Sequence, residues 1–166
     1  ARTAAEVSIV ARGEHLAAIQ IKGLRVLTPD EDFTVIARAT DNPSELGVQD
    51  VVFLSVKAHA LALAADLMRP LIGPDTVIVS AQNGIPFWYF HAHGGTREGH
   101  TLRTVDPGGK IATAIGCERV IGCVITSSNT VREPGVVQNI GDKLFAIGEP
   151  DGSISRRLQD ISSILS

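Results

Sequence analysis

The chain is poor in the residues that staple, coordinate or span. It has 166 residues, with two cysteines, one methionine, one tryptophan and one tyrosine. Cys117 and Cys123 stand too far apart for a C-x-x-C motif, so neither a disulfide framework nor a zinc site is indicated. A reducing cytoplasm is the default compartment for such cysteine usage. No apolar stretch reaches the roughly 18 residues that a membrane helix needs. The opening "ARTAAEVSIVARGE" lacks the basic start, long apolar middle and small-residue cleavage site of a secretory leader. Basic excess is absent too: the formal net charge is −3 and the pI about 5.9. That balance gives no electrostatic reason to bind nucleic acid or an acidic membrane. No internal repeat and no low-complexity tract interrupts the chain.

What is present is a run of short apolar strands alternating with amphipathic stretches. With 44% hydrophobic and 20% charged residues, the chain has the composition of one soluble globular domain with a sizeable core. Val7, Ile9 and Val10 read as a first strand that runs straight into Arg12-Gly13. "GEHLAAIQIKG" (13–23) follows as a helix with Leu16, Ile19 and Gln20 near one face and Gly23 as its stop. "LRVLTP" (24–29) and "DFTVIARAT" (32–40) read as paired strands. "QDVVFLSVKA" (49–58) is a continuous apolar run, the pattern of a parallel strand buried on both faces. The next helix places Leu61, Ala64, Ala65, Met68 and Leu71 at helical spacing. "GPDTVIVSAQNGI" (73–85) supplies a turn, a buried strand and an Asn-Gly exit, and "VIGCVIT" (120–126) a further strand. "GVVQNIG" and "KLFAIGE" are expected to pair antiparallel. The last stretch sets Ile154, Leu158, Ile161 and Leu165 on one helical face. Strand, helix, strand, helix, strand implies an α/β fold with a doubly wound, mostly parallel sheet. A polar insert rich in Gly and His, residues 91–119, separates two of the strands and reads as a functional loop or a surface elaboration.

In such a sheet, ligands bind beyond the carboxyl ends of the strands. Four segments therefore matter: Arg12-Gly13, Lys57-Ala58, Gln82-Asn83-Gly84 and Ser127-Ser128-Asn129. An arginine ending the second strand of a dinucleotide-binding fold can grip a 2'-phosphate with its fork, where a carboxylate would favour the free ribose. Arg12 can equally be a solvated surface residue. Lys57 can face a cofactor or simply snorkel into solvent. Asn83 can orient a carbonyl or hydroxyl through its amide, and Gly84 can admit a ligand close to the backbone; both can also form a plain turn. His91, His93 and His100 lack the carboxylate or cysteine that would complete a metal spacing, so no metal is assigned. His15 and His59 fall on helix faces, and the cysteines behave as small buried hydrophobes. "PFWYF" (86–90) holds the lone Trp, the lone Tyr and two of five Phe. Without a basic stripe it reads as packing rather than base stacking.

"VSIVARGEHLAAIQIKGLRV", "DVVFLSVKAHAL", "GPDTVIVSAQNGIPFWYF" and "VIGCVITSS...EPGVVQNIG" together, in this order and spacing, resemble the N-terminal NADP-binding domain of ketopantoate reductase (2-dehydropantoate 2-reductase). The resemblance runs over nearly the whole chain. It implies a Rossmann-type fold and an NADPH-dependent oxidoreductase of pantothenate and coenzyme A biosynthesis, taking a small-molecule 2-keto acid. It assigns Arg12 to the cofactor 2'-phosphate, Lys57 to cofactor binding, and Asn83 to both cofactor and substrate. Ser128 falls near a position whose backbone meets the cofactor. The family's first strand and G-x-G-x-x-G turn are not found ahead of "ARTAAEVSIV". Its general-acid lysine belongs to a helical C-terminal domain that is also not found. Residues 1–166 are therefore expected to be one incomplete NADP-binding domain, inactive alone, whose first six residues are the tail of a helix. Self-association, as a homodimer, is an open expectation. Two other readings stay open: a non-catalytic nucleotide-binding module, and a reductase of another 2-keto acid.

Overall fold

Three sheets organise the described residues, 5–141 and 144–165, of this computed structural model. In chain order the elements are β1 (Ser8–Val10), α1 (Gly13–Lys22), β2 (Leu24–Leu27), β3 (Asp32–Val35), β4 (Arg38–Thr40), β5 (Val51–Leu54), α2 (Leu61–Leu67), β6 (Val77–Ala81), α3 (Lys110–Ile115), β7 (Val120–Ile125), β8 (Asn129–Glu133), β9 (Val136–Asn139), β10 (Phe145–Gly148) and α4 (Arg156–Leu165). They divide into two units, one of residues up to Leu46 with those between Thr126 and Leu144, the other of Gly47–Ile125 with the residues from Phe145 onward.

In the first unit β1 and β4 pair in parallel. The connection between them holds α1, which buries Leu16 and Ile19. Gln20 does not join that face; it is exposed and its amide donates to the Ala39 carbonyl at 2.9 Å. The expected stop is observed, with the Gly23 N–H donating to the Ile19 carbonyl. The other sheet has the order β3-β2-β9-β8. The expected β2–β3 pairing is antiparallel, and Arg25 grips Asp32 across it through Nε–Oδ1 at 2.9 Å and Nη2–Oδ2 at 2.5 Å. The expected pairing of "GVVQNIG" with "KLFAIGE" is not formed. β9 lies between β2 and β8, and β10 pairs with β7. The partner of β9 is "NTVRE", a strand exposed along its whole length. Its lack of a buried face leaves no alternation to read. Lys143 and most of the expected N-terminal helix tail lie outside the described residues.

The second unit is built on the sheet β10-β7-β6-β5, in which β5, β6 and β7 are parallel and β10 is antiparallel. Alternate residues point to opposite faces of a strand. Val79, Ala81, Ile121 and Cys123 form a core with Ile161 of α4, and Leu158 packs on its margin. Their neighbours Ile78, Ser80 and Val120 are just as buried on the other face. Both faces of β6 are thus covered, as a central parallel strand requires, whereas the edge strand β5 was expected to be buried on both faces and leaves Phe53 exposed. Each fully buried aliphatic side chain contributes roughly 1.5–3 kcal/mol. Leu61, Ala65, Met68 and Leu71 are buried as the helical spacing predicts, and α2 packs on α3. Ile154 does not share the face of Leu158 and Ile161; it precedes α4 and is exposed.

The second half of the 91–119 insert is structural rather than a loop. α3 buries Ile111 and Ile115, and Asp106 is completely buried. The Asp106 carboxylate accepts from the Ile111 and Ala112 N–H groups at 2.9 and 3.0 Å, satisfying free donors at the start of the helix. Of the aromatic cluster Phe87 is buried and Trp88 half-buried, whereas Tyr89 is exposed and meets the edge of Phe90. A Cβ at Gly122 would come within 2.7 Å of the Trp88 ring, so β7 needs a glycine there. α4 is tied to the sheet by Arg157. Its guanidinium donates to the nearly buried Glu149 carboxylate at 2.7 and 2.5 Å and to the Glu118 carbonyl at 2.8 Å, while Ser155 also donates to Glu149. The bonds from Arg157, then that from Ser155, hold the Glu149 carboxyl below its ordinary range.

Two outcomes follow. Gly122→Val overpacks the Trp88 contact and lowers stability by about 1–3 kcal/mol, read in denaturant melts with the emission of the lone tryptophan as probe. Because folding depresses the Glu149 pKa, its contribution is full above the unfolded carboxyl range and is lost as pH falls through the folded value. Glu149→Gln therefore lowers the melting temperature at neutral pH and flattens its acid decline; parallel curves for variant and parent between neutrality and pH ~3 would exclude that role.

Candidate functional site

The carboxyl ends of β5, β6 and β7 lie side by side because the three strands are parallel neighbours. Backbone pairing runs out at Leu54 with Ser80 and at Ala81 with Cys123. Two residues further on, side chains replace the missing backbone bonds. Gln82 Nε2 donates to the Val56 carbonyl at 2.5 Å, on the β5 side. Asn83 turns to the β7 side: its Nδ2 donates to the Ile125 carbonyl at 3.0 Å, and its Oδ1 accepts from the Ile125 N–H at 3.3 Å.

Lys57 follows Val56 directly. It is extended, with φ −65° and ψ 149°, and its carbonyl accepts from the Ala60 N–H at the start of a 3-10 turn. Its side chain is exposed and makes no ion pair among the described residues. Gly84 has φ +102°, and nothing lies within 4 Å of where a Cβ would be. The left-handed backbone and the open space together suit close approach of a ligand to the chain. A cation, an amide with one hydrogen and one lone pair to spare, and an open glycine thus share one sheet end.

Arg12 and Ser128 belong to the other unit. Arg12 is exposed, takes the N-cap position of α1 just beyond β1, and makes no ion pair among the described residues. The free N–H groups of that helix start favour anions as the guanidinium does. Ser128 is exposed, and its carbonyl accepts from the Ile140 N–H at 3.0 Å. The neighbouring Ser127 hydroxyl, not that of Ser128, accepts from Asn139 at 2.6 Å and from Asn129 at 3.0 Å. Each unit thus presents an exposed cation just past a strand with no ion pair among the described residues, Arg12 in one and Lys57 in the other.

The histidine-rich loop carries different chemistry. Phe90 packs against His93 and His100, with ring centroids 5.2 and 6.2 Å apart. Glu98 accepts from the Ala92 and Gly94 N–H groups at 2.6 and 2.9 Å, and those bonds hold its carboxyl below the usual range. Among the described residues no group of three or more His, Cys, Asp or Glu gathers to hold a metal. None of the described helices is long and apolar enough to cross a membrane. Asp106 and the Glu149–Arg157 pair escape a reading of strand-end motifs, which singles out Gln82 only as part of the Gln82-Asn83-Gly84 segment. Asp106 had a signal, since an acid stands shortly before an Ile111/Ile115 helical repeat; the partners of Gln82 and Arg157 lie 26 and 8 residues away and had none.

Comparison with known proteins bears on this geometry. Residues 1–87 match the family described as "Ketopantoate reductase PanE/ApbA". A 2-dehydropantoate 2-reductase of Mesorhizobium japonicum is 47% identical over 153 residues, 92% of this chain and 47% of that protein. The crystal structure of a ketopantoate reductase candidate from Ralstonia solanacearum superposes with TM-score 0.90 at 39% identity, covering 96% of this chain and 50% of that one. A 2-dehydropantoate 2-reductase from Geobacter metallireducens gives TM-score 0.74 at 28% identity, covering 96% and 46%. The chain spans about half the length of the relatives it matches. Its α/β architecture is the Rossmann-type fold of those proteins. By sequence over more than half its length, and by fold, the chain belongs to the ketopantoate reductase PanE/ApbA family.

Proposed function

We propose that residues 1–166 are the NADP-binding part of an enzyme that reduces 2-dehydropantoate to pantoate with NADPH. The observation that carries this reading is the meeting of Lys57 with Asn83-Gly84 at neighbouring strand ends, in a chain 47% identical to a 2-dehydropantoate 2-reductase. NADPH, when bound, supplies the hydride and so carries the difficult chemistry. The chain's residues bind, orient and exclude. The Arg12 guanidinium offers a planar fork that fits a 2'-phosphate bidentately, and among the described residues its charge is not spent on a carboxylate. Lys57 offers a point charge at the end of β5. Ser128 offers backbone groups beyond β7. Cytoplasmic residence and a homodimer complete the proposal.

Asn83 has the most constrained role. Two of its amide bonds are fixed on Ile125, so the plane of the amide cannot rotate freely. The remaining N–H and lone pair then point along set directions, which is what aligning a reacting carbonyl requires. Negative charge grows on the carbonyl oxygen during reduction, and a fixed N–H stabilises it. The proton is delivered by a general-acid lysine that the family resemblance puts outside residues 1–166.

Arg12→Asp in the enzyme carrying this chain weakens NADPH by about 10- to 100-fold, the worth of charge-assisted hydrogen bonds, and changes NADH little. Fluorescence titration with both cofactors measures this, and equal losses for the two would remove the phosphate-reading role. Asn83→Asp keeps the acceptor for Ile125 N–H but replaces the donor with a charged oxygen facing a carbonyl. It lowers kcat by about 100-fold with a smaller change in NADPH affinity; steady-state kinetics with unchanged kcat would take Asn83 out of the chemistry.

A further inference from the structure

We propose that Gln82 is a positioning residue that sets the place of Lys57. This rests on the reading of Lys57 as a cofactor-binding cation. The argument begins with register. Leu54 pairs with Ser80, so Val56 and Gln82 are the next residues that face one another across the β5–β6 pair. The backbone ladder has ended there, because the Gln82 N–H turns back to the Ser80 carbonyl at 3.0 Å. The side chain makes the missing bond instead, from Nε2 to the Val56 carbonyl at 2.5 Å. Val56 is the residue before Lys57, and the peptide joining them is planar. Fixing the Val56 carbonyl therefore fixes the direction in which the chain enters Lys57.

The other side of Lys57 is held as well, by the Ala60 N–H on its carbonyl. Lys57 thus stands on a backbone pinned on both flanks, while its side chain is exposed and without an ion pair among the described residues. A lysine on a loose loop would lose much of its attraction for an anion to the ordering that binding demands. Gln82 removes part of that demand beforehand. Its neighbour Asn83 braces the opposite side of β6 in the same way, two residues past Ala81 and Cys123, on Ile125. One strand exit thereby fixes both adjacent ones, and the two members of the Gln82-Asn83 pair have separate duties: the first acts through Lys57, and the second is presented to ligand.

The test is a double-mutant cycle in the enzyme carrying this chain, with NADPH affinity, KM and kcat measured for the parent, Gln82→Met, Lys57→Ala and the double variant. Methionine keeps the length of the side chain and removes the amide. Gln82→Met weakens NADPH by about tenfold, within the range for residues that act through a shared element, and leaves kcat within roughly twofold. In the Lys57→Ala background the same change costs nothing further. Equal penalties in both backgrounds would reduce Gln82 to general stabilisation of the fold and overturn the inference. NADPH affinity unchanged by Gln82→Met but weakened by Lys57→Ala would overturn it while leaving the cofactor reading intact. An unaltered affinity in Lys57→Ala would overturn the cofactor reading and this inference with it. The unmutated protein provides an independent check: the Gln82 side-chain amide protons exchange slowly in NMR if the bond to Val56 persists, and exchange at the rate of a free amide would rule the brace out.

Discussion

A parallel sheet must end, and at its ends the backbone groups that no longer find a neighbouring strand still need partners. In this protein that need is met at β6 by two consecutive amides, Gln82 and Asn83, each replacing the bond its position in the ladder would have made. The consequence is mechanical. Three strand exits that would otherwise be independent loops are tied edge to edge, and the residues they present hold fixed places. The register of β5, β6 and β7 is the precondition, and at β6 and β7 it is set by the core that Val79, Ala81, Ile121 and Cys123 form. A shift of one residue would exchange Val79 and Ile121 with Ser80 and Gly122, and the core would lose its fit to α4.

Charge is distributed by the same logic. Arg25 and Arg157 are committed, to Asp32 across a hairpin and to Glu149 beneath a helix start. Arg157 is the more consequential, because its partner is nearly buried and a carboxylate left there alone would be costly. Arg12 and Lys57 are different. Each stands just beyond a strand, exposed and without an ion-pair partner among the described residues.

Much of this arrangement is legible in the residues. "DVVFLSV" and "TVIVSA" announce parallel strands by being apolar without alternation; β6 is buried on both faces as expected, whereas β5 lies at the sheet edge and leaves Phe53 exposed. Leu61, Ala65, Met68 and Leu71 announce the helix between them by their spacing. The strand-end rule then points to Lys57 and Asn83 with no structure in hand. The pairing of β9 was not legible. Its partner β8 has no buried side, and the residues that would have paired in the simpler picture belong to different sheets. The 91–119 segment misled for another reason. Its glycines and histidines dominate the composition, while the burial of Ile111, Ile115 and Asp106 depends on neighbours distant in sequence.

The sequence by itself determined the strand and helix periods, the residues at the strand ends and the family, because these are properties of local order and spacing. Only the tertiary structure decided what those residues do with their hydrogen bonds. That the Gln82 amide reaches Val56 and that of Asn83 reaches Ile125 follows from which strands lie on either side of β6. Side-chain direction alternates along every strand, but the neighbour it meets is chosen by the packing of the whole sheet.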